Sequence, residues 1–131
     1  MPLLTRDAIL QVEDLKRELV SVPEWGGDVF VRSLNGAERD KFEASVLEQR
    51  GKSQKMNLEN IRAKMASMTI CDEHGNRLFS DGDIQALAKK NAAALDRVFS
   101  VARRLSGLGE NEVEELAKGL EADPFGGSPS G

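Results

Sequence analysis

The residues best able to do chemistry crowd into one short stretch: Cys71, Asp72, Glu73, His74, Asn76, Asp81 and Asp83. Carboxylates at this density suggest a calcium loop. Starting at Asp72, the loop places His74 and Asn76 at its third and fifth positions and Asp83 at its twelfth. Its sixth position must be glycine for the sharp turn, and here it is Arg77. Zinc needs three or four ligands, and the chain has one cysteine and one histidine. Cys71 and His74 are close in sequence, but no G-x-S-x-G elbow and no third orienting group accompany them. The glycines at 26–27, 107/109 and 126–127 have no lysine after them to reach a phosphate. Carboxylate pairs such as Glu114–Glu115 arise by chance in a chain with 22 acids. Simpler roles fit these residues. His74 reads as an exposed turn residue, Asp81 and Asp83 as helix-capping charges, Cys71 as a small buried apolar side chain, and Leu78 and Phe79 as core anchors. No catalytic residue, cofactor site or metal site is expected, and the chain reads as a non-enzyme.

The rest of the composition narrows the class. A chain of 131 residues is long enough for one domain with a core of its own. Its net charge of −4 argues against broad nucleic-acid binding, leaving only a local basic patch at Arg97, Arg103 and Arg104. The opening MPLLTRDAIL is too short and too soon charged for a signal peptide, and no apolar run approaches a membrane span. A single cysteine allows no intrachain disulfide. An intracellular protein without membrane contact is expected.

The elements that would position these groups can be read in order. Thr5 caps a short helix with Ala8, Ile9 and Val12 as its apolar face. Residues 16–22 and 28–34 alternate in polarity and flank Pro23, Gly26 and Gly27, the signature of a β-hairpin. In its second strand Val29, Val31 and Ser33 share one face, and Phe30, Arg32 and Leu34 the other. Asn35 and Glu38 form a capping-box pair opening a helix that runs to a stop at Gly51. GKSQKMN reads as a polar loop. A helix from Asn57 carries a core stripe at Leu58, Ile61, Met65 and Met68, and its end, SMTIC, turns extended. Met56, Met65 and Met68 could instead form an adaptable groove, although the last two fit core filling. The chain turns at Gly75–Asn76. Ser80 and Asp83 cap a helix facing Ile84, Leu87 and Ala88 inward, which Asn91 interrupts. A long helix follows with Leu95, Val98, Phe99, Ala102 and Leu105 on one face, stopped by LSGLG. A last helix, NEVEELAKGLEA, lines up Val113, Leu116, Ala117 and Leu120 against an acidic face. The whole is expected to be α+β: a hairpin packed with four to five helices in a single domain over 1–122, then a disordered Gly/Ser/Pro tail over 123–131.

Trp25 stands apart as the only tryptophan of a chain without tyrosine, placed at a turn between Pro23 and Gly26. Exposed, it would be an interface anchor. Folded back, it would cap the core. Gly26 and Gly27 serve either arrangement by allowing positive φ and close approach of another backbone. Trp25, Phe30 and Val31, with the two glycines, are the candidate protein-interaction residues.

Two stretches, ELVSVPEWGGDVFVRSLNGAERDKFE and TICDEHGNRLFSDGDIQALAKKNAAALDRVFSVARRLSGL, resemble the tail assembly chaperones of long-tailed bacteriophages and prophages. The resemblance covers roughly residues 4–109. It rests on the VPEWGG-type hairpin, the acidic-glycine turn ending in Arg-Leu-Phe, and the helix closing in LSGL. It implies a protein that acts in the cytoplasm of the bacterial host during tail morphogenesis and is absent from the finished virion. Such a protein binds the aggregation-prone tape measure protein, keeps it soluble and helps recruit the major tail (tube) protein. The resemblance also implies self-association, and a longer form made by programmed frameshifting, for which FGGSPSG would suit a linker. Two other classes compete: a structural phage protein such as a head–tail connector retained in the virion, and a small regulator binding DNA through Arg97–Arg104.

Overall fold

The computed structural model describes residues 2–50, 53–56 and 59–108, and of 47–50 and 53–56 the backbone alone. Thr5 Oγ1 accepts a bond from Ala8 N–H at 3.1 Å and starts α1 (Arg6–Gln11). The chain then extends into β1 (Arg17–Val22), makes one 3-10 turn at Pro23–Trp25, and returns as β2 (Gly27–Arg32). The turn closes where Gly26, at φ +82°, donates its N–H to Pro23 O at 3.0 Å. That left-handed backbone is the reason for a glycine there. The strands pair antiparallel, with Leu19 opposite Phe30 and Val20 opposite Val29.

The capping box at α2 (Gly36–Val46) forms as expected. Asn35 Oδ1 accepts from Glu38 N–H at 2.8 Å, and Glu38 Oε1 accepts from Asn35 N–H at 3.0 Å. The helix ends earlier than the glycine at 51 suggested. Residues 47–50 and 53–56, expected as helix and polar loop, are β3 (Leu47–Arg50) and β4 (Ser53–Met56), paired antiparallel with Leu47 opposite Met56. Two residues separate them, the spacing of a tight hairpin, and glycine signals such a loop as readily as a helix stop. Gly51, Asn57 and Leu58 lie outside the described residues.

Helix α3 (Ile61–Thr69) buries Ile61, Met65 and Met68, the stripe read from the sequence. It leads into β5 (Ile70–Cys71), whose two residues pair with Val31 and Phe30 to complete a three-stranded antiparallel sheet in the order β1-β2-β5. Gly75, at φ +87°, turns the chain. Ser80 N–H then donates to Asp83 Oδ2 at 2.8 Å, and a 3-10 turn at Asp81–Asp83 opens α4 (Ile84–Ala88). Asn91 does more than interrupt. Its Oδ1 accepts from Ala94 N–H at 3.0 Å and starts α5 (Ala92–Leu105), which buries Leu95, Val98 and Ala102. Gly107, at φ +79°, ends it, and Leu108 N–H reaches back to Arg103 O at 3.0 Å.

The fold is α+β: α5 packs against β1 and β2 of the sheet, α3 packs on α5, and five α-helices lie among the described residues. Val22, Val31, Phe42, Val46, Met65, Ile70 and Val98 form the centre of the core. One expectation fails outright. Ala8, Ile9 and Val12 of the first helix face solvent, and α1 buries no residue. The pattern marked an apolar face, but no other element among the described residues covers it. The helix expected at NEVEELAKGLEA and the tail over 123–131 lie outside the described residues.

Candidate interaction surface

The polar cluster at 71–83 is spent on structure. Asp72 Oδ1 accepts from His74 N–H at 2.8 Å and Asn76 N–H at 2.9 Å, which fastens the turn. The Asn76 N–H bond chiefly holds the Asp72 carboxyl below its usual range. Asp81 pairs with Lys41 and with Arg77, and Asp83 closes the capping box of the 3-10 turn that leads into α4. His74 is exposed beside Glu73, and Cys71 is buried, which pushes its thiol up. Among the described residues no three His, Cys, Asp or Glu side chains gather as a metal site would require. Nor is any described helix long and apolar enough to cross a membrane.

The arginines of α5 are spent too. Arg97 grips Glu24 with both terminal nitrogens, at 2.8 and 2.9 Å, and Arg104 meets both oxygens of Glu18 at 3.0 and 2.9 Å. Arg103 lies over the Phe99 ring, 5.5 Å from its centroid. The row Arg97–Arg104 is therefore engaged with the hairpin's acids and its own helix, and does not form an open basic stripe.

What the hairpin presents instead is apolar. At its tip Trp25 is half-buried against the core and lines an open cleft of about 370 Å³ with Glu24, Phe79, Asp83, Ala86, Leu87 and Lys90. The indole is neither fully exposed nor fully buried: it packs on the core and also lines the cleft. Its Nε1 is buried with no hydrogen-bond partner among the described residues. A buried donor left unpaired is costly to the fold. No atom lies within 4 Å of where a Cβ would stand at Gly26 or Gly27, so the tip is open to approach.

On the sheet face away from the core, Leu19 is 55% exposed and its cross-strand partner Phe30 is half-buried. Val31 was expected beside Phe30 as an anchor, and here the structure corrects the reading. Val31 is fully buried. Strand alternation puts it on the opposite face, where it pairs with Ile70 in the middle of the sheet. Leu78, expected as a core anchor, is likewise 55% exposed. Leu19 and Phe79 went unnamed as interaction residues. For Leu19 the signal was legible, since it is the one apolar residue on the parity of Arg17 and Ser21.

Glu24 is one of the ionisable residues that line the cleft. The Arg97 guanidinium lowers its pKa to about 2. A depressed carboxyl stabilises the fold above its unfolded value, near 4.5, and that contribution is lost as pH falls toward 2. Carbon-13 titration of the Glu24 carboxyl should place its midpoint well below those of unpaired glutamates. In Arg97→Gln the midpoint should return toward the ordinary value.

Comparison with known proteins agrees with this architecture. The solved structure of the bacteriophage HK97 tail assembly chaperone superposes with a TM-score of 0.56, at 16% identity, over 76% of this chain and 89% of that one. A comparison with curated proteins finds no match. The family model described as phage tail assembly chaperone matches residues 5–119. With most of its length so matched, the chain belongs to the phage tail assembly chaperone family.

Proposed function

We propose that this chaperone binds the tape measure protein through the hairpin and helps recruit the major tail (tube) protein as the tail is built in the host cytoplasm. The observation that carries the reading is the apolar tip. The Trp25 indole borders an open cleft, and Leu19 and Phe30 lie side by side on the same hairpin. A client presenting apolar side chains suits that surface. The reading asks for no catalysis: the family's role is assembly, and the polar groups are spent on turns, caps and ion pairs.

The test is co-purification of the tagged chain with the tape measure protein encoded beside it, followed by titration. Leu19→Asp should weaken the complex at least about tenfold, since buried hot-spot side chains are worth 2 kcal/mol or more. Its melting temperature should hold, because Leu19 is largely exposed. Trp25→Phe should weaken binding by a smaller factor through loss of apolar ring area at the cleft. No complex from the wild type would refute the proposal, and finding the chain in purified virions would favour a head–tail connector.

A further inference from the structure

The two edges of the three-stranded sheet are finished differently. At the β5 edge the chain closes its own ladder: Cys71 bridges to Arg77, and Leu78 N–H donates to Ile70 O at 3.1 Å. At the other edge β1 has β2 on one side, and no strand among the described residues lies on its other side. An open edge of this kind is a template for pairing with another chain.

The register fixes which groups point outward there. Ser33 N–H donates to Lys16 O at 2.9 Å, which makes these two a hydrogen-bonded pair. Antiparallel pairs alternate, so Glu18, Val20 and Val22 bond to β2, and Arg17, Leu19 and Ser21 turn their N–H and C=O groups away from it. All three outward residues are exposed. Arg97 Nη1 reaches Ser21 O at 3.5 Å and occupies that end of the edge. Arg17 and Leu19 keep both backbone groups unpaired among the described residues.

Their side chains narrow what can pair with them. Leu19 stands exposed beside Phe30 on the sheet face away from the core. Arg17 lies directly opposite Arg32, and Arg32 is already matched by Glu38. Arg17 itself forms no ion pair among the described residues. Glu13 and Asp14 border the same hollow as Arg17 without bonding to it. Like charges opposite one another are unfavourable and opposite charges favourable, so Arg17 favours a carboxylate at the cross-strand position on its open side.

We propose that an extended segment of the client adds to β1 as a further antiparallel strand, with an apolar side chain opposite Leu19 and, two residues later, an Asp or Glu opposite Arg17. In this mode main-chain bonds supply affinity and alternate side chains supply specificity. The proposal rests on the tape measure protein being the client. A second copy of this chain suits the edge poorly. The outward positions of its own β1 are Arg17, Leu19 and Ser21, while the strand's one acid, Glu18, has the other parity and is held by Arg104. No register of β1 on β1 therefore sets a carboxylate against Arg17.

The test is amide hydrogen exchange, read residue by residue, in the free chain and in its complex with the tape measure protein. In the free chain the Arg17 and Leu19 amides should exchange fast, and those of Glu18 and Val20 slowly. In the complex the Arg17 and Leu19 amides should slow at least about tenfold, as amides entering a ladder do. Arg17→Glu should weaken the complex about fivefold through loss of the cross-strand charge pair. Its melting temperature should not fall, because the substitution removes a like charge opposite Arg32. A complex whose Arg17 and Leu19 amides exchange as in the free chain would overturn strand addition and leave the client reading standing. Slowing of the same amides on concentrating the chain alone would assign the edge to a second copy and overturn the proposal. An undiminished complex from Arg17→Glu would overturn the match to a carboxylate. Absence of any wild-type complex would overturn the client reading and this proposal together.

Discussion

Glu38→Ala lowers the unfolding free energy by about 3 kcal/mol at neutral pH, as removal of one partner from a buried pair does. Arg32 is 94% buried as a side chain by the complement of its 6% exposure, and its guanidinium bonds both Glu38 oxygens, at 2.8 and 2.7 Å. Alanine would leave that cation buried with one remaining acceptor, Ser33 O at 2.9 Å. It would also remove half of the capping box, because the same carboxylate accepts from Asn35 N–H. Glu38→Gln should cost less, since the amide oxygen can still accept at the cap. Burial pushes the Glu38 carboxyl up, but the bonds from Arg32 and Asn35 outweigh it and hold the pKa below the usual value. The depressed folded pKa means that the pair stabilises above the unfolded value of about 4.5 and fades as pH falls through the folded one. Urea unfolding at pH 7 and at pH 3 measures both. A Glu38→Ala penalty undiminished at the lower pH would show that the ion pair contributes little.

Phe42→Ala should cost about 3–4 kcal/mol, the range for truncating a buried aromatic side chain. Phe42 is 2% exposed and Val46 is fully buried, and these are the two residues α2 sends into the core. Glu38, Phe42 and Val46 follow one another at intervals of four, so they form one row on one face of the helix. The row is charged at its start and apolar thereafter, matched to Arg32 and then to the core. Loss of Phe42 leaves α2 held at its first turn and by one valine. Because both substitutions loosen the same helix, their effects should fall short of additivity by more than 0.5 kcal/mol in a double-mutant cycle. Chemical denaturation of the two single variants and the double variant gives that coupling, and strict additivity would contradict the picture of one shared face.

These same residues show what was readable beforehand. The caps at Thr5, Asn35 and Ser80 were legible because each is a bond to a backbone group three residues away or to a near neighbour. The stripes of α3 and α5 were legible because Met65, Met68, Leu95, Val98 and Ala102 repeat at helical spacing on helices that do meet partners, α3 against α5 and α5 against β1 and β2. Burial was harder to read. Ile9 and Val12 repeat just as well, yet nothing in the described structure covers them, and periodicity cannot say whether a partner element exists. Val31 and Phe30 are adjacent letters on opposite faces, and only the pairing with Ile70 decides which side is the core. Strands β3 and β4 escaped because polar residues around a glycine look like a loop until the two halves are seen to pair. The Arg32–Glu38 bond escaped for a different reason. It joins a strand to the next helix, and its burial depends on how α2 turns back over the sheet.

The two grips of α5 on the hairpin bear on the thermodynamics of recognition. Arg97 holds the hairpin at Glu24 in its turn and Arg104 holds it at Glu18 in its first strand, two helical turns apart on one rigid rod. The tip that carries Trp25 is thus pre-organised. Ordering a side chain at an interface ordinarily costs about 0.5–1.5 kcal/mol, and for Glu24 and its neighbours that entropy is surrendered when the chain folds, before any client arrives. Both grips are exposed ion pairs and weaken with ionic strength. If the tip docks a client as proposed, added salt would therefore loosen it and raise the entropic cost of docking, even where the contact is wholly apolar.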